Sequence, residues 1–144
     1  MRFLGLMKAD AESEAGALPA PDLMVRMGEF MEEVAKAGVL LSSDGLMPSR
    51  FGKRVKLEDG GRLSVINGPF TESKELVASY ALFETKTIEE AVEWTTRFLK
   101  VLGRGECEIR PILDFADLPA EFIPPEAAEK EQVWREEMAK RTSA

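Results

Sequence analysis

The sequence contains no histidine, and this absence excludes several kinds of chemistry at once. Without imidazole there is no Ser-His-Asp triad, no Cys-His pair and no histidine-ligated zinc or iron. Cysteine is nearly absent as well, since Cys107 is the only one among 144 residues. A single cysteine cannot close an intramolecular disulfide or form a cysteine-rich metal site, and we expect it to be a buried structural thiol. We therefore predict no metal site and no cofactor.

Long apolar runs and an excess of positive charge are also missing. No stretch approaches the roughly 20 apolar residues of a membrane span, and the apolar start at residues 1–7 is too short for a signal peptide. The 26 acidic residues outnumber the 19 basic ones, and the net charge of -7 repels phosphate backbones. These features predict a cytoplasmic protein that binds neither membranes nor nucleic acid.

The hydrophobic pattern predicts alternating strands and helices. An apolar run at residues 2–8 predicts a first strand, which a long loop follows. Apolar residues at three- and four-residue steps predict one helix from Pro21 to Gly38 and another from Thr87 to Gly103. Alternating runs on both sides of a Gly-Gly turn at 60–61 predict a β-hairpin. The remaining predictions are strands at 39–43, 78–84 and 106–113, a turn at Asp44-Gly45, and a last helix around 126–140.

This order predicts an α+β fold of ferredoxin-like βαββαβ type, with the β-hairpin as an insertion and a C-terminal helical arm. We expect one domain over residues 1–113 and an extension with a helix over 114–144. Two helices would cover one face of an antiparallel sheet. The other face would carry Phe3, Tyr80 or Leu82, and Ile109, and must be hidden from water. Pairing of two such faces predicts a homodimer.

One short segment carries a family resemblance. The run Asn67-Gly68-Pro69-Phe70, with Thr71 to Glu75 after it, resembles the signature of the YCII-related family, in the branch named for its Asp-Gly-Pro-Phe (DGPF) motif. Segments at 37–48, 90–94 and 108–112 also agree with that family, so that the resemblance spans about residues 2–113. It implies a dimeric α+β barrel built from ferredoxin-like protomers.

The resemblance implies two kinds of function. A few YCII-like proteins are regarded as enzymes that act on small ring compounds through a His-Asp pair, and that pair cannot exist here. Members of the DGPF branch resemble proteins encoded beside, or fused to, extracytoplasmic-function sigma factors, which implies a regulatory or ligand-sensing role. In this sequence Asn67 stands where the family has Asp, and an amide can form hydrogen bonds but cannot act as a base.

The candidate site residues lie on and near this motif. Asp44 and Glu75 are the candidate catalytic carboxylates, because partial burial can raise a carboxyl pKa towards neutrality. The candidate ligand-binding residues are Arg54, Asn67, Glu72 and Lys74. Each also has a purely structural interpretation. Asn67 favours a turn, and Asp44 favours an Asp-Gly turn. The segment at 72–75 is typical of a solvated loop, and Arg54 is typical of an edge position or of a pair with a carboxylate.

Three functions remain open from the sequence. The first is a small homodimeric protein that binds a small ligand or has a regulatory role. A small organic anion is one candidate for that ligand. The second is an enzyme of lyase or isomerase type that abstracts a proton from a small anionic substrate. In it Asp44 or Glu75 would be the base, and Lys74 or Arg54 would hold the anion. A third hypothesis is an interaction module that contacts a partner through its acidic C-terminal arm.

Overall fold

The computed structural model describes residues 1–71 and 75–142. It contains two compact units, Met1–Ile112 and Leu113–Ala144. The first unit combines helices with antiparallel strands, which confirms the predicted α+β class. Its elements are β1 (Arg2–Lys8), α1 (Ala11–Glu14), α2 (Pro21–Lys36), β2 (Leu40–Gly45), β3 (Lys53–Leu57), β4 (Leu63–Asn67), β5 (Val77–Glu84), α3 (Ile88–Leu102) and β6 (Cys107–Pro111).

Four strands form the main sheet, in the order β2-β5-β1-β6, and every neighbouring pair is antiparallel. The central strand β1 pairs on both sides, so that Gly5 lies between Ala81 of β5 and Ile109 of β6. Strands β3 and β4 form a separate two-stranded sheet inserted between β2 and β5. The predicted β-hairpin is therefore present.

The two long helices of the first unit begin and end where the sequence predicts. Pro21 occupies the first turn of α2, where its missing N–H breaks no helical hydrogen bond. The side chain of Thr87 accepts a hydrogen bond from the backbone N–H of Glu90 at 3.2 Å and caps the start of α3. Gly38 and Gly103 follow the helices with φ of 74° and 85°, a backbone conformation that glycine adopts without strain.

The core lies between the sheet and the helices α2 and α3. Its buried residues are Phe3, Phe30, Val34, Val39, Phe83 and Ala91. Side chains alternate along a strand, so Phe3, Gly5 and Met7 share the face of β1 that the helices cover, whereas Leu4 and Leu6 lie on the opposite face. The expectation that Phe3 and Ile109 lie on the uncovered face is therefore wrong, because both pack in or against this core.

Strand β2 contains one extra residue. Leu40 lies opposite Phe83 and Ser42 lies opposite Leu82, which leaves Leu41 as a β-bulge. The strand then continues to Gly45, with Asp44 opposite Tyr80. The predicted Asp44-Gly45 turn is consequently wrong, because pairing with β5 holds both residues in an extended conformation.

A one-turn helix interrupts the predicted long loop after β1. The side chain of Asp10 accepts a hydrogen bond from the Ser13 backbone N–H at 2.8 Å, and the Ser13 hydroxyl oxygen accepts one from the Asp10 N–H at 2.9 Å. This capping box stabilises α1. It also lowers the pKa of Asp10, chiefly through the bond from the Ser13 backbone.

The second unit consists of two short 3₁₀ turns, Phe115–Asp117 and Ala120–Phe122, followed by α4 (Pro125–Thr142). The sequence predicts this helix around residues 126–140. Ion pairs along α4 are local, as in the contact of 2.5 Å between Arg135 Nε and Glu131 Oε1. Among residues 1–71 and 75–142, no helix has the length and apolar character that crossing a bilayer requires.

Candidate functional site

Small side chains form the floor of a cavity on the helix side of the main sheet. Gly5 and Ala81 lie opposite each other on β1 and β5, and Ser79 and Ser43 extend this floor along β5 and β2. Interiors are normally close-packed, with large and small side chains interlocking. Four small residues at neighbouring positions on three strands instead leave space between the sheet and the helices.

The helices supply the apolar walls of this cavity. Phe30, Met31 and Val34 come from α2, and Trp94 and Phe98 come from α3. The rings of Trp94 and Phe98 each lie 6.2 Å from the ring of Phe30, measured between centroids. The cavity has a volume of about 90 Å³, and its lining in the described part of the chain includes no charged side chain. Its surface therefore favours an uncharged, apolar group.

Two sulfur atoms meet at the cavity wall. The thiol of Cys107 lies 3.4 Å from the Sδ of Met7, and both residues line the cavity. Burial raises the pKa of Cys107, so that the neutral thiol predominates at neutral pH. The structure thus places Cys107, partly buried, among apolar groups, in a setting that disfavours a thiolate nucleophile.

The candidate base Asp44 lies on the other face of the sheet. The hydroxyl of Tyr80 donates a hydrogen bond of 2.8 Å to Asp44 Oδ2, and this bond raises the pKa of Tyr80. Tyr80 is also among the residues that line the cavity, although its side chain lies with Asp44 on the other face of the sheet. In the described part of the chain, no hydrogen bond or ion pair links Asp44 to Glu75, Arg54 or Asn67.

The motif residues form a turn that packs against the 3₁₀ turn Ser49–Phe51. Asn67 ends β4 opposite Lys53, whose Nζ donates a hydrogen bond of 2.6 Å to Asn67 Oδ1. The peptide bond between Gly68 and Pro69 is cis. A Cβ atom built on Gly68 would lie 1.8 Å from the carbonyl oxygen of Ser49, so that only glycine fits at this position.

Phe70 contacts Arg54, the second candidate residue near this turn. The guanidinium carbon of Arg54 lies 4.0 Å from the centre of the Phe70 ring, a cation–π contact. The backbone N–H of Phe70 donates a hydrogen bond of 3.1 Å to Ser49 Oγ. The structure thus brings Arg54 and Asn67 to the same turn, although each contacts a different neighbour.

Ser49 links this turn to α1 through Glu14. The Ser49 hydroxyl and backbone N–H donate hydrogen bonds of 2.5 Å and 2.9 Å to the two carboxylate oxygens of Glu14. These bonds lower the pKa of Glu14, with the hydroxyl as the larger cause. Neither residue was among the sequence candidates. They stand 35 positions apart, and no local pattern signals their contact.

The other candidate residues contribute less to the described site. Glu75 is exposed, and Glu72 and Lys74 lie outside the described residues. Within residues 1–71 and 75–142 there is no group of three or more histidine, cysteine, aspartate or glutamate side chains that could hold a metal ion.

Comparison with known proteins identifies the class of this chain. The family model of the YCII-related domain matches residues 1–116. The chain therefore belongs to the YCII-related family.

One solved structure that resembles the chain is the 5-chloro-2-hydroxyhydroquinone dehydrochlorinase of Burkholderia phenoliruptrix AC1100, in complex with 2,5-dihydroxybenzoquinone. The match has a TM-score of 0.47 and 12% sequence identity, and it covers 83% of this chain and 100% of that one. No curated protein matches the chain.

Proposed function

We propose that this chain is a homodimeric, cytoplasmic protein that binds a small ligand in the cavity beneath α2 and α3. The observation that carries the proposal is the floor of small residues, Gly5, Ala81, Ser79 and Ser43, under a wall of aromatic side chains. A purely structural core would be filled at these positions. The bound ligand, in turn, would act as the signal of a regulatory protein.

The size of the cavity limits the ligand. An engineered apolar cavity of roughly 150 Å³ binds benzene, and this one has about 90 Å³. Met7 and Met31 line it, and methionine changes its rotamer more easily than other apolar residues. A single ring fits once one of these side chains moves. An anionic group on the ligand would lie outside the cavity, and Arg54, which is not among the lining residues, is its candidate partner.

The finer family assignment is part of the same proposal. The βαββαβ order of the main elements and the strand order β2-β5-β1-β6 support a ferredoxin-like protomer, in which β3 and β4 are an insertion. The motif at 67–70 supports the DGPF branch of the family.

The uncovered face of the sheet supports the homodimer. Leu4, Leu6, Tyr80 and Leu82 lie on this face and are only partly buried in the single chain. A two-fold axis would bring the same apolar patch of a second copy against it, as in a dimeric α+β barrel. This arrangement removes apolar surface from water in both copies.

Filling the cavity tests the ligand site. Ala81→Leu places a larger side chain on its floor, whereas Ala78→Leu on the same strand points to the opposite face. We expect calorimetry to detect benzene binding to the wild type and to Ala78→Leu, with at least a tenfold loss in Ala81→Leu. Melting curves would check that both variants fold. Equal affinity in Ala81→Leu, or no binding to the folded wild type, would contradict the proposal.

The charge of the ligand has its own test. If Arg54 binds an anionic group, benzoate should bind the wild type more tightly than benzene does, and Arg54→Gln should abolish this difference. Lys56→Gln, on the same face of β3, is the matched control. Equal affinities for both compounds in the wild type would show that the ligand is not recognised through a negative charge.

The Asp44–Tyr80 pair favours an enzyme as the second candidate function. The bond from Tyr80 engages Oδ2 of Asp44. Within the described residues the other oxygen has no hydrogen bond, so it could accept a proton from a substrate on the uncovered face. Deuterium exchange into small organic acids with acidic C–H bonds would test this. Exchange that persists in Asp44→Asn would exclude Asp44 as the base.

A further inference from the structure

The inserted hairpin exposes an apolar face that the single chain leaves uncovered. We call residues 53–67, which form β3, β4 and the turn between them, the ribbon. Side chains on one face of the ribbon are apolar and are 55–70% exposed. They are Val55, Leu57, Leu63 and Val65. Lys53 and Asn67 lie on the same face at its base, and the other face carries Arg54, Lys56, Ser64 and Ile66. The ribbon thus has one apolar and one mainly polar face.

This exposure is unusual for a ribbon of two strands. A two-stranded hairpin in water is marginally stable, and it requires packing on one face to become independently stable. A ribbon with both faces in solvent would normally carry polar residues on both, since contiguous exposed apolar residues mark interaction sites. The alternation of apolar and polar residues in β3 and β4 therefore indicates that another surface covers the apolar face when the protein functions.

The base of the ribbon is fixed to the body of the protein. The backbone N–H of Gly68 donates a hydrogen bond of 3.0 Å to the carbonyl oxygen of Gly52, directly below the first strand pair. Arg54 of the ribbon stacks on Phe70, whose backbone N–H donates a hydrogen bond of 3.1 Å to Ser49 Oγ outside the ribbon. The motif turn therefore anchors the ribbon while its apolar residues face outward. This geometry suits an arm that reaches a partner.

Charge indicates the partner. The ribbon contains four basic and two acidic residues and carries a net charge of +2. The whole chain carries -7, so the remaining residues together carry -9. Two ribbons would repel each other, whereas a ribbon and the acidic body of another copy attract. We infer that the apolar face of the ribbon docks on the body of a second copy of this chain. This inference rests on the proposed homodimer.

The two faces of the ribbon provide a matched pair of variants. Val55 and Val65 lie directly opposite each other on the apolar face, and Ile66 is the neighbour of Val65 on the other face. We expect Val55→Ser/Val65→Ser to raise the dissociation constant of the dimer at least tenfold in sedimentation velocity. Ile66→Ser should change it less than threefold. Because all three side chains are exposed, melting temperatures should stay close to that of the wild type.

Cross-linking identifies what the ribbon touches. In a mixture of ¹⁴N- and ¹⁵N-labelled protein, a carbodiimide should join Lys53 to a carboxylate of the other copy, giving mixed-isotope peptides. A dimer with unchanged dissociation constant in Val55→Ser/Val65→Ser, or ribbon cross-links only within one copy, would overturn the docking of the ribbon and leave the homodimer intact. A monomeric wild type would overturn both, and the ribbon would then belong to a different partner.

Discussion

The ammonium group of Lys53 and the side-chain oxygen of Asn67 are joined by a hydrogen bond of 2.6 Å at the base of the ribbon. In the resembling DGPF motif, an aspartate would stand at this position and neutralise the lysine. Here the amide accepts the hydrogen bond but leaves the positive charge of Lys53 in place. An amide at position 67 therefore makes the local charge more positive than an aspartate would.

Restoring the carboxylate should therefore form an ion pair. Asn67→Asp is expected to raise the free energy of unfolding by up to about 1 kcal/mol, because both side chains are exposed. The gain should shrink in high salt, which screens exposed charges. Urea unfolding at two salt concentrations measures it. In a Lys53→Gln background the same substitution should bring no gain, and an equal gain there would show that Lys53 is not the partner.

Tyr80 provides a direct probe of Asp44 because it is the only tyrosine in the chain. Its hydrogen bond to Asp44 raises its pKa. Asp44→Asn removes the negative charge and should lower the pKa of Tyr80 towards the ordinary phenol value, as followed by phenolate absorbance during alkaline titration. Glu75→Gln serves as a control that should leave the titration unchanged. An unaltered curve in Asp44→Asn would mean that the two side chains do not interact in solution.

The contact between Glu14 and Ser49 predicts a dependence of stability on pH. The hydrogen bonds from Ser49 lower the pKa of Glu14, so they stabilise the fold when the carboxyl group is ionised. This contribution is complete above the ordinary carboxyl pKa, about pH 4.3, and is lost as pH falls through the lowered pKa of the folded state. Ser49→Ala should therefore destabilise the protein by about 1 kcal/mol at pH 7, and by less in acid.

Urea unfolding of wild type and Ser49→Ala across this pH range measures the difference. Ser43→Ala is a suitable control, since the Ser43 hydroxyl donates to the Tyr80 carbonyl oxygen and touches no carboxylate in the described structure. A difference between wild type and Ser49→Ala that stays constant down to pH 3 would exclude the proposed role of Glu14.

Gly68 should tolerate no larger residue. The Cβ of Gly68→Ala would lie 1.8 Å from the Ser49 carbonyl oxygen. The oxygen is a backbone atom and the Cβ is bonded to the backbone, so a change of side-chain rotamer cannot relieve the clash. We expect a loss of about 1–3 kcal/mol or more in the free energy of unfolding. Gly45→Ala meets open space and should be neutral or stabilising by up to about 1 kcal/mol. Similar melting temperatures for the two variants would contradict the observed packing of the motif turn.

The sequence predicts those elements whose signals are local. Alternation around Gly60 and Gly61 locates β3 and β4, and Thr87 with Gly103 bounds α3. The cavity could not be predicted, because its floor depends on which residues of β1 and β5 face the helices. That choice is made by packing across the whole sheet, and for this reason Phe3 and Ile109 were expected on the wrong face.

The candidate site, like the fold, has some features that the sequence predicts and others that it does not. The motif turn is visible in the sequence, but its anchor is a contact between Glu14 and Ser49 across 35 positions. The sequence offers Asp44 as a candidate base, yet its Asp-Gly pair favours a turn over a strand. Only the long-range pairing with β5 places it beside Tyr80.

The bulge at Leu41 determines which chemistry the interior of this protein contains. If Leu41 paired with Leu82 instead of forming the bulge, every later residue of β2 would move one position along β5, and Asp44 would lie opposite Ser79 on the cavity floor. The cavity would then be lined by an ionisable group instead of the hydroxyl of Ser43. The bulge thus keeps the carboxylate of β2 on the face of the sheet away from the apolar cavity.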